Sequence, residues 1–296
     1  MGGCFLYKMK TLVTLSDRHY LDRGIALFES INKFDFDFRL YYLCLDRETF
    51  DKLTGIDKII PIHISIFNKD KAFRLLAKNH KSSPNQYSDF HFALASFFTN
   101  YVMDKTNQEV LHIDADILFY RSPEVIFESV KGKSIGLILH RHNKIGTKVG
   151  GFNVGIVYFR NDDIGKKCLK WWRDVVLNTN NKYHKTHGTC GDQKYLELFS
   201  ELFGRKNIKI LDENIGHGAP WNLLLYDYLS GRRIKWKGLT QDLVLTHFSH
   251  FSYNENSYKI MRKKEWNPEL LNVPEVKVYY DEYFEILKDV KKRYEL

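Results

Sequence analysis

The chain has 296 residues, 44% of them hydrophobic, and a formal net charge of +9. That is ample material for a globular core, and no apolar run approaches the roughly 20 residues of a membrane-spanning helix. Four cysteines, Cys4, Cys44, Cys168 and Cys190, form neither a CxxC pair nor a zinc spacing. Buried free thiols are expected, which suits a reducing, cytoplasmic compartment.

Residues 1–9 read as an N-terminal extension. Gly2–Tyr7 is too short for a signal peptide and lacks a cleavage pattern, and Leu6 stands where a myristoylation site needs Ser or Thr. Thr11–Ser16 then reads as a buried strand, followed by a helix with Leu21, Ile25 and Phe28 on one face. Phe38–Leu45 and Lys58–Ile62 are further strands. Tyr87–Met103 is a helix with Phe90, Leu94, Phe97 and Tyr101 on one side, leading into the strand Val110–Asp114. Such alternation predicts a mostly parallel sheet with helices on both faces.

Beyond it, Ser122–Pro123 starts a short helix through Ser129, and Ile135–Leu139 and Phe152–Phe159 are strands. Arg141–Gly151 and Asn178–Gly191 are polar loops. Ile164, Cys168, Trp171 and Val175 mark one helix, and Asp192–Leu202 forms another. Ile208–Leu211 and Leu243–Phe248 are late strands, Tyr253–Pro274 has no clear period, and Tyr279–Leu296 is a terminal helix. No repeat or composition break divides the chain, so one domain is expected.

The chemistry centres on Val110–Phe119, VLHIDADILF. On an extended chain residues i and i+2 point the same way, so Asp114 and Asp116 can reach one divalent cation or one diphosphate. A second such triplet, Asp35–Phe36–Asp37, enters a strand, whereas Asp114 and Asp116 leave one. Ligands of open α/β sheets lie beyond the carboxyl ends of strands, so the first triplet reads as a solvated loop.

Four segments in order carry a resemblance. VLHIDADILFYRSPEVIF (110–127) resembles the DxD segment of GT-A glycosyltransferases. GGFNVGIVYFRND (150–162) is similar to their Asn-x-Gly strand, CGDQKYLELF (190–199) to their Asp-Gln helix start, and THFSHFSY (246–253) to the late His-containing strand that completes the metal site. Order and spacing look like the retaining enzymes that include glycogenin and bacterial lipopolysaccharide galactosyl- and glucosyltransferases. The resemblance spans residues 10–253. It implies a single-domain α/β GT-A (Rossmann-like) fold, a mixed, mostly parallel sheet flanked by helices. Residues 10–130 would form the nucleotide-binding half, 131–253 the acceptor and catalytic half, and 254–296 a C-terminal tail and helix. It further implies a nucleotide-sugar donor, UDP-linked by preference, and a glycan or lipid-linked acceptor.

On this reading Asp114, Asp116 and His247 ligate the metal, His250 being the competitor. Oxygen ligands suit Mg²⁺ or Mn²⁺ and an added imidazole favours Mn²⁺. Thr14, Ser16 and Asp17, with Asp114 and Ala115, are the nucleotide-binding candidates; Asp17 is equally an N-cap. Asn153 lies in an apolar run, where an unpaired amide is costly, so it is either bonded within the fold or turned to the sugar. Gly155 is a candidate to meet the sugar by permitting close backbone approach, or else marks a bulge. Asp192 and Gln193 are the catalytic candidates beside Asn153, and Asp192 is also a possible cap. A carboxylate such as Asp192 could serve as general base in an inverting enzyme, whereas a glutamine cannot take a proton, so a site built around Gln193 suits retention of configuration and favours it over inversion. Trp221 and Asn222, in Gly216–Asn222, are candidates to meet sugar, against a core role for the Trp. The chain departs from the retaining group's late His-Tyr…Lys-Pro-Trp segment, and Lys148 and Lys237 are the candidates for its lysine.

The terminal segment KVYYDEYFEILKDVKKRYEL mixes basic and aromatic residues, which suits either packing on the domain or peripheral contact with an anionic membrane at its inner face. Two other classes fit less well. A sugar-nucleotide nucleotidyltransferase would open with a Gly-rich loop where this chain has SDRHYLDRG. A basic nucleic-acid binder is allowed by charge, yet no helix-turn-helix, RRM or zinc pattern is present.

Overall fold

The computed structural model describes residues 9–80, 86–142, 150–178, 192–260 and 269–296. Cys4, Lys148, Cys190 and Gly191 lie outside them. Strands β1 (Lys10–Ser16), β2 (Phe38–Cys44), β3 (Ile59–His63), β4 (Val110–Ile113), β6 (Ile135–Leu139), β7 (Phe152–Phe159) and β8 (Ile208–Ile210) form one sheet in the order β3-β2-β1-β4-β7-β6-β8. Only β7 runs against its neighbours. β5 (Ile117–Phe119) leaves this sheet to pair antiparallel with β12 (Leu239–His247), which also carries β9 (Gly216–Gly218) and the hairpin partners β10 (Asp227–Leu229) and β11 (Arg233–Trp236).

Period-two alternation splits the core. Leu12, Leu111 and Ile113 face one cluster, closed by α1 (Leu21–Asn32), α5 (Glu124–Ser129) and the C-terminal helix α8 (Pro274–Tyr294). Val13, Leu43 and Val110 face the other, closed by α3 (Lys71–His80), α4 (Gln86–Thr106) and α6 (Asp163–Leu177). α1 lies close because Gly24 has no side chain: a Cβ there would sit 1.8 Å from the Tyr42 hydroxyl, which is itself hydrogen bonded to Ser16.

Several elements differ from the sequence expectation. α2 (Arg47–Leu53) and α3 went unpredicted; Asp46 caps α2 by accepting from the Thr49 N–H at 2.9 Å. In α6 it is Trp172, not Trp171, that enters the core, and Trp171 packs edge-on against Tyr195, Phe199 and Phe203. The expected helix at Asp192–Leu202 is a 3₁₀ segment, Gln193–Leu198, followed by one short α-helical stretch, α7 (Phe199–Phe203). Tyr253–Pro274 contains the end of a small hairpin, β13 (Phe251–Tyr253) with β14 (Tyr258–Ile260).

α8 packs with the domain rather than apart from it. Val276, Tyr280, Tyr283, Leu287 and Val290 are buried in the first cluster, so the aromatic face of this segment points inward. Among the described residues no helix is long and apolar enough to cross a membrane. Cys44 and Cys168 are buried free thiols, and burial pushes the Cys44 thiol up to about 12.

Candidate functional site

The C-terminal ends of β1, β4 and β6 and the N-terminal end of β7 meet at one edge of the large sheet. There β4 ends and the chain turns. Asp114 N–H donates to Gly155 O at 3.0 Å, and Ile117 N–H donates to Asp114 O at 3.3 Å. The DxD triplet therefore sits in a turn between β4 and β5, not on an extended strand. Its carboxylates converge because the turn folds them together, which corrects the period-two argument. Ala115 is buried between them. The other triplet lies in a loop with Asp35 and Asp37 exposed, as expected.

β12 brings His247 to this turn, paired with Ile117 and held by Phe248 N–H donating to Asp116 O at 2.8 Å. From behind, Phe248 stacks on Tyr283 of α8, ring centroids 3.8 Å apart. His247 Nε2 lies 3.1 Å from Asp116 Oδ1 and 3.7 Å from Asp114 Oδ2. One ligand atom from each of the three residues lies within 4.8 Å of the others. Adjacent ligands of a six-coordinate Mg²⁺ or Mn²⁺ stand about 3 Å apart, so the set fits such a cation. The Asp114 side chain is the more open, 31% exposed against 13% for Asp116, and leaves the coordination sphere accessible on its side. His250, the competing histidine, sits in the turn after β12 with φ of 60° and is not part of the cluster.

Electrostatics mark the same spot. Burial opposes ionisation of Asp116, but His247 and then Arg23 outweigh it and hold the carboxyl below the usual range. Burial likewise disfavours the His247 imidazolium, yet Asp116 and Asp114 raise it above the ordinary histidine value. Asp192, 2% exposed, has its carboxyl pushed well above the usual range by burial and by Asp114. Its side chain makes no cap hydrogen bond, so the capping alternative does not hold, and Oδ2 is buried without a partner among the described residues. Three carboxyl groups thus crowd one corner, an arrangement that a bound cation relieves.

A cation held by this cluster would compete with the proton for His247 Nε2, which gives the site an expected pH dependence. Without metal, the imidazolium contributes stability in full below the unfolded value of about 6.5, and that contribution fades as pH rises through the higher folded value. Cation affinity runs the opposite way. Below the folded value it falls about tenfold per pH unit, one proton being displaced per ion. Mn²⁺ titrations at about pH 6 and pH 8 should differ in this sense; equal affinities would remove His247 from the ligand set.

The other predicted residues divide into those at the site and those that build it. Asp17 lies at the end of β1, and its Oδ1 accepts from the His19 N–H at 3.0 Å, so it does cap the 3₁₀ turn Arg18–Tyr20. Thr14 and Ser16 are enclosed, Ser16 against Tyr42. Asn153 is 8% exposed and bonded within the fold. Its Oδ1 accepts from Gly155 N–H at 3.0 Å and lies 3.2 Å from His247 Nδ1, and its Nδ2 donates to Gln193 Oε1 at 3.2 Å. Of the two alternatives for Asn153, the internal one describes its contacts. Gly155 combines a close approach with a bulge. β7 slips register against β6 between Leu137 and Ile138, and a Cβ at 155 would meet Asn153 Oδ1 at 2.7 Å and His247 Nδ1 at 2.9 Å.

Trp221 is half-buried and borders the site, its ring edge-on to His247 at 5.4 Å and to His140 at 5.2 Å. Asn222 is fully buried. Its Oδ1 accepts from the Ala219 N–H at 2.8 Å and its Nδ2 donates to His140 O at 3.1 Å, so it closes the turn that carries Trp221 rather than facing solvent. Lys237 sits at the β11–β12 hairpin tip, over Trp236, at the opposite end of β12 from His247. Nine strand residues place it about 26 Å or more away, so it is not the lysine of this site.

Sequence reasoning missed three neighbours. Tyr20, 39% exposed just past β1, has its ring against the Arg23 guanidinium at 4.3 Å. Arg23 is buried, donates to His19 O, Asp22 Oδ1 and Phe251 O, and ties the β1 turn to the late hairpin. His140 follows β6 at the same sheet edge as Asp114. Its position at a strand end was the available signal, but it lies outside the four resembling segments.

The architecture, one mixed sheet flanked by helices in a single domain with the cluster at its carboxyl edge, is the GT-A fold. No protein-family model matches the chain. Among solved structures it is similar to the galactosyltransferase LgtC, solved with donor and acceptor sugar analogues (TM-score 0.56, 14% identity, 94% of this chain and 95% of that one). It is also similar to mouse xyloside xylosyltransferase 1 (TM-score 0.53, 15% identity, 82% and 98%). In sequence it is 27% identical over 255 residues to the uncharacterized protein YfnF of Bacillus subtilis strain 168, covering 80% of each chain.

Proposed function

We propose that the chain is a metal-dependent glycosyltransferase that moves a hexose from a nucleoside-diphosphate sugar, UDP-linked by preference, to a glycan or lipid-linked acceptor. The observation that carries this reading is the meeting of Asp114, Asp116 and His247 at the carboxyl edge of a GT-A sheet. Asp114, Asp116 and His247 would hold Mn²⁺ or Mg²⁺, which when bound neutralises the charge developing on a departing diphosphate.

The chain's own residues arrange the rest. The nucleotide lies over the ends of β1 and β4, where Asp17 is at hand and the Tyr20 ring, backed by Arg23, offers a face for a base. Trp221 borders the sugar side. Retention of configuration is supported by the enclosure of Asp192 and the partial exposure of Gln193, since an amide cannot deprotonate an acceptor.

A thermal-shift screen against UDP-, GDP-, ADP- and CMP-sugars with Mn²⁺ is expected to single out a UDP-sugar, with the shift diminished in Tyr20→Ala and abolished by chelator. Turnover of the selected donor, followed by the anomeric configuration of the product, then tests transfer and retention. A shift that survives chelation, or none with any donor, would reject the reading.

A further inference from the structure

We propose that His140 is a positioning residue that, together with Gly155 and Gln193, holds the Asn153 amide in the orientation that decides which nitrogen of His247 is offered to the cation. This rests on the reading of Asp114, Asp116 and His247 as a divalent-cation site.

The hydrogen bonds run in a fixed direction because their ends are backbone groups with one role each. Gly150 O can only accept, and His140 Nδ1 lies 2.8 Å from it, so that nitrogen carries the proton. His140 Nε2 is then an acceptor, 3.3 Å from Asn153 Nδ2. Two further contacts favour the same orientation of the Asn153 amide. Gly155 N–H can only donate, and it points to Oδ1 at 3.0 Å. Gln193 Oε1, which accepts from Val154 N–H at 3.3 Å, accepts from Nδ2 on the other side. The atom facing His247 Nδ1 at 3.2 Å is therefore an acceptor, and His247 must donate to it. A neutral His247 then presents its Nε2 lone pair to the gap shared with Asp116 and Asp114.

Burial keeps water out of this chain of contacts: His140, Asn153 and His247 are each less than a tenth exposed. Burial and the stacked ring of His142, 4.5 Å away, also push His140 down to about 3, so it stays a neutral acceptor. Rotating the Asn153 amide would set its NH₂ against Gly155 N–H and its oxygen against Gln193 Oε1. His140 adds a third penalty on the same side. Partners that fix a ligand's ring in this way commonly account for about 10–100-fold in metal affinity.

The test reads tautomers directly. In metal-free protein carrying ¹⁵N-histidine, long-range ¹H–¹⁵N spectra at alkaline pH are expected to show His140 and His247 both protonated at Nδ1. His140→Phe keeps the ring's bulk but not its acceptor; with one of three constraints on Asn153 removed, His247 should show a larger share of the Nε2-protonated tautomer than wild type, and Mn²⁺ affinity by titration without nucleotide should fall roughly 10-fold. His140→Gln, which can still accept from Asn153, should restore most of the affinity. A wild-type His247 protonated at Nε2, or a His140→Phe protein with unchanged tautomer and affinity, overturns the proposal. The wild-type spectrum decides even if His140→Phe does not fold. Should wild type show the expected tautomers yet bind no Mn²⁺, the relay stands and the cation-site reading falls.

Discussion

Asp116→Ala is expected to lose cation binding and sugar transfer together. Asp116 supplies the carboxylate nearest His247, 3.1 Å away, and the more enclosed of the two anionic ligands. On the proposed site its removal takes away a direct ligand, so the loss in Mn²⁺ affinity should exceed the roughly 100-fold that supporting residues account for, with transfer falling in step. Stability offers a second readout. A cation that binds only the folded state at about 100 times its Kd adds about 2.7 kcal/mol, several degrees in Tm for a chain of this size. Wild type should show that shift on adding Mn²⁺ and lose it on chelation, while Asp116→Ala should show neither. In the variant His247 also loses the nearer of the two carboxylates that raise its imidazolium. A folded Asp116→Ala protein with wild-type transfer would sink the metal assignment.

Gly155→Ala is expected to be nearly as damaging although it adds one methyl group to a residue that bears no chemistry. The new Cβ would stand 2.7 Å from Asn153 Oδ1 and 2.9 Å from His247 Nδ1, closer than real contacts allow. Neither side chain has free space: Asn153 is tied to Gln193 and His140, and His247 is walled by Trp221. Overpacking of this kind costs about 1–3 kcal/mol. Here the displaced group is a ligand, so Mn²⁺ affinity should fall about 10–100-fold while the protein stays folded. Measuring melting temperature and Mn²⁺ titration on one preparation separates the two effects. Normal affinity in a folded variant would show that His247 does not need its present place.

Both predictions depend on contacts that bear differently on the sequence. β1, α1, β2, β4, β6 and β7 were legible because each buries a face against the core, and burial leaves period-two or helical spacing in the chain. α2 was legible in principle through Asp46 and Thr49 but is too short to show a period. β9 and β10, three residues each, carry no pattern of their own and exist because β12 and β11 supply their partners.

What the sequence determined by itself is the alternation that builds the sheet, and the order in which the acidic triplet, the Asn-x-Gly strand, the Asp-Gln pair and the late histidines arrive. Those features are local, so they survive in one dimension. Only the tertiary structure decided that Asp114 and Asp116 converge in a turn, that His247 rather than His250 completes the set, and that Asn153 and Asn222 serve the interior. The reason is that a side chain's direction in a turn, and the proton carried by a buried ring, are set by groups brought near through space; the Gly150 carbonyl, His140 and His247 meet only where the end of β6, the start of β7 and the end of β12 come together.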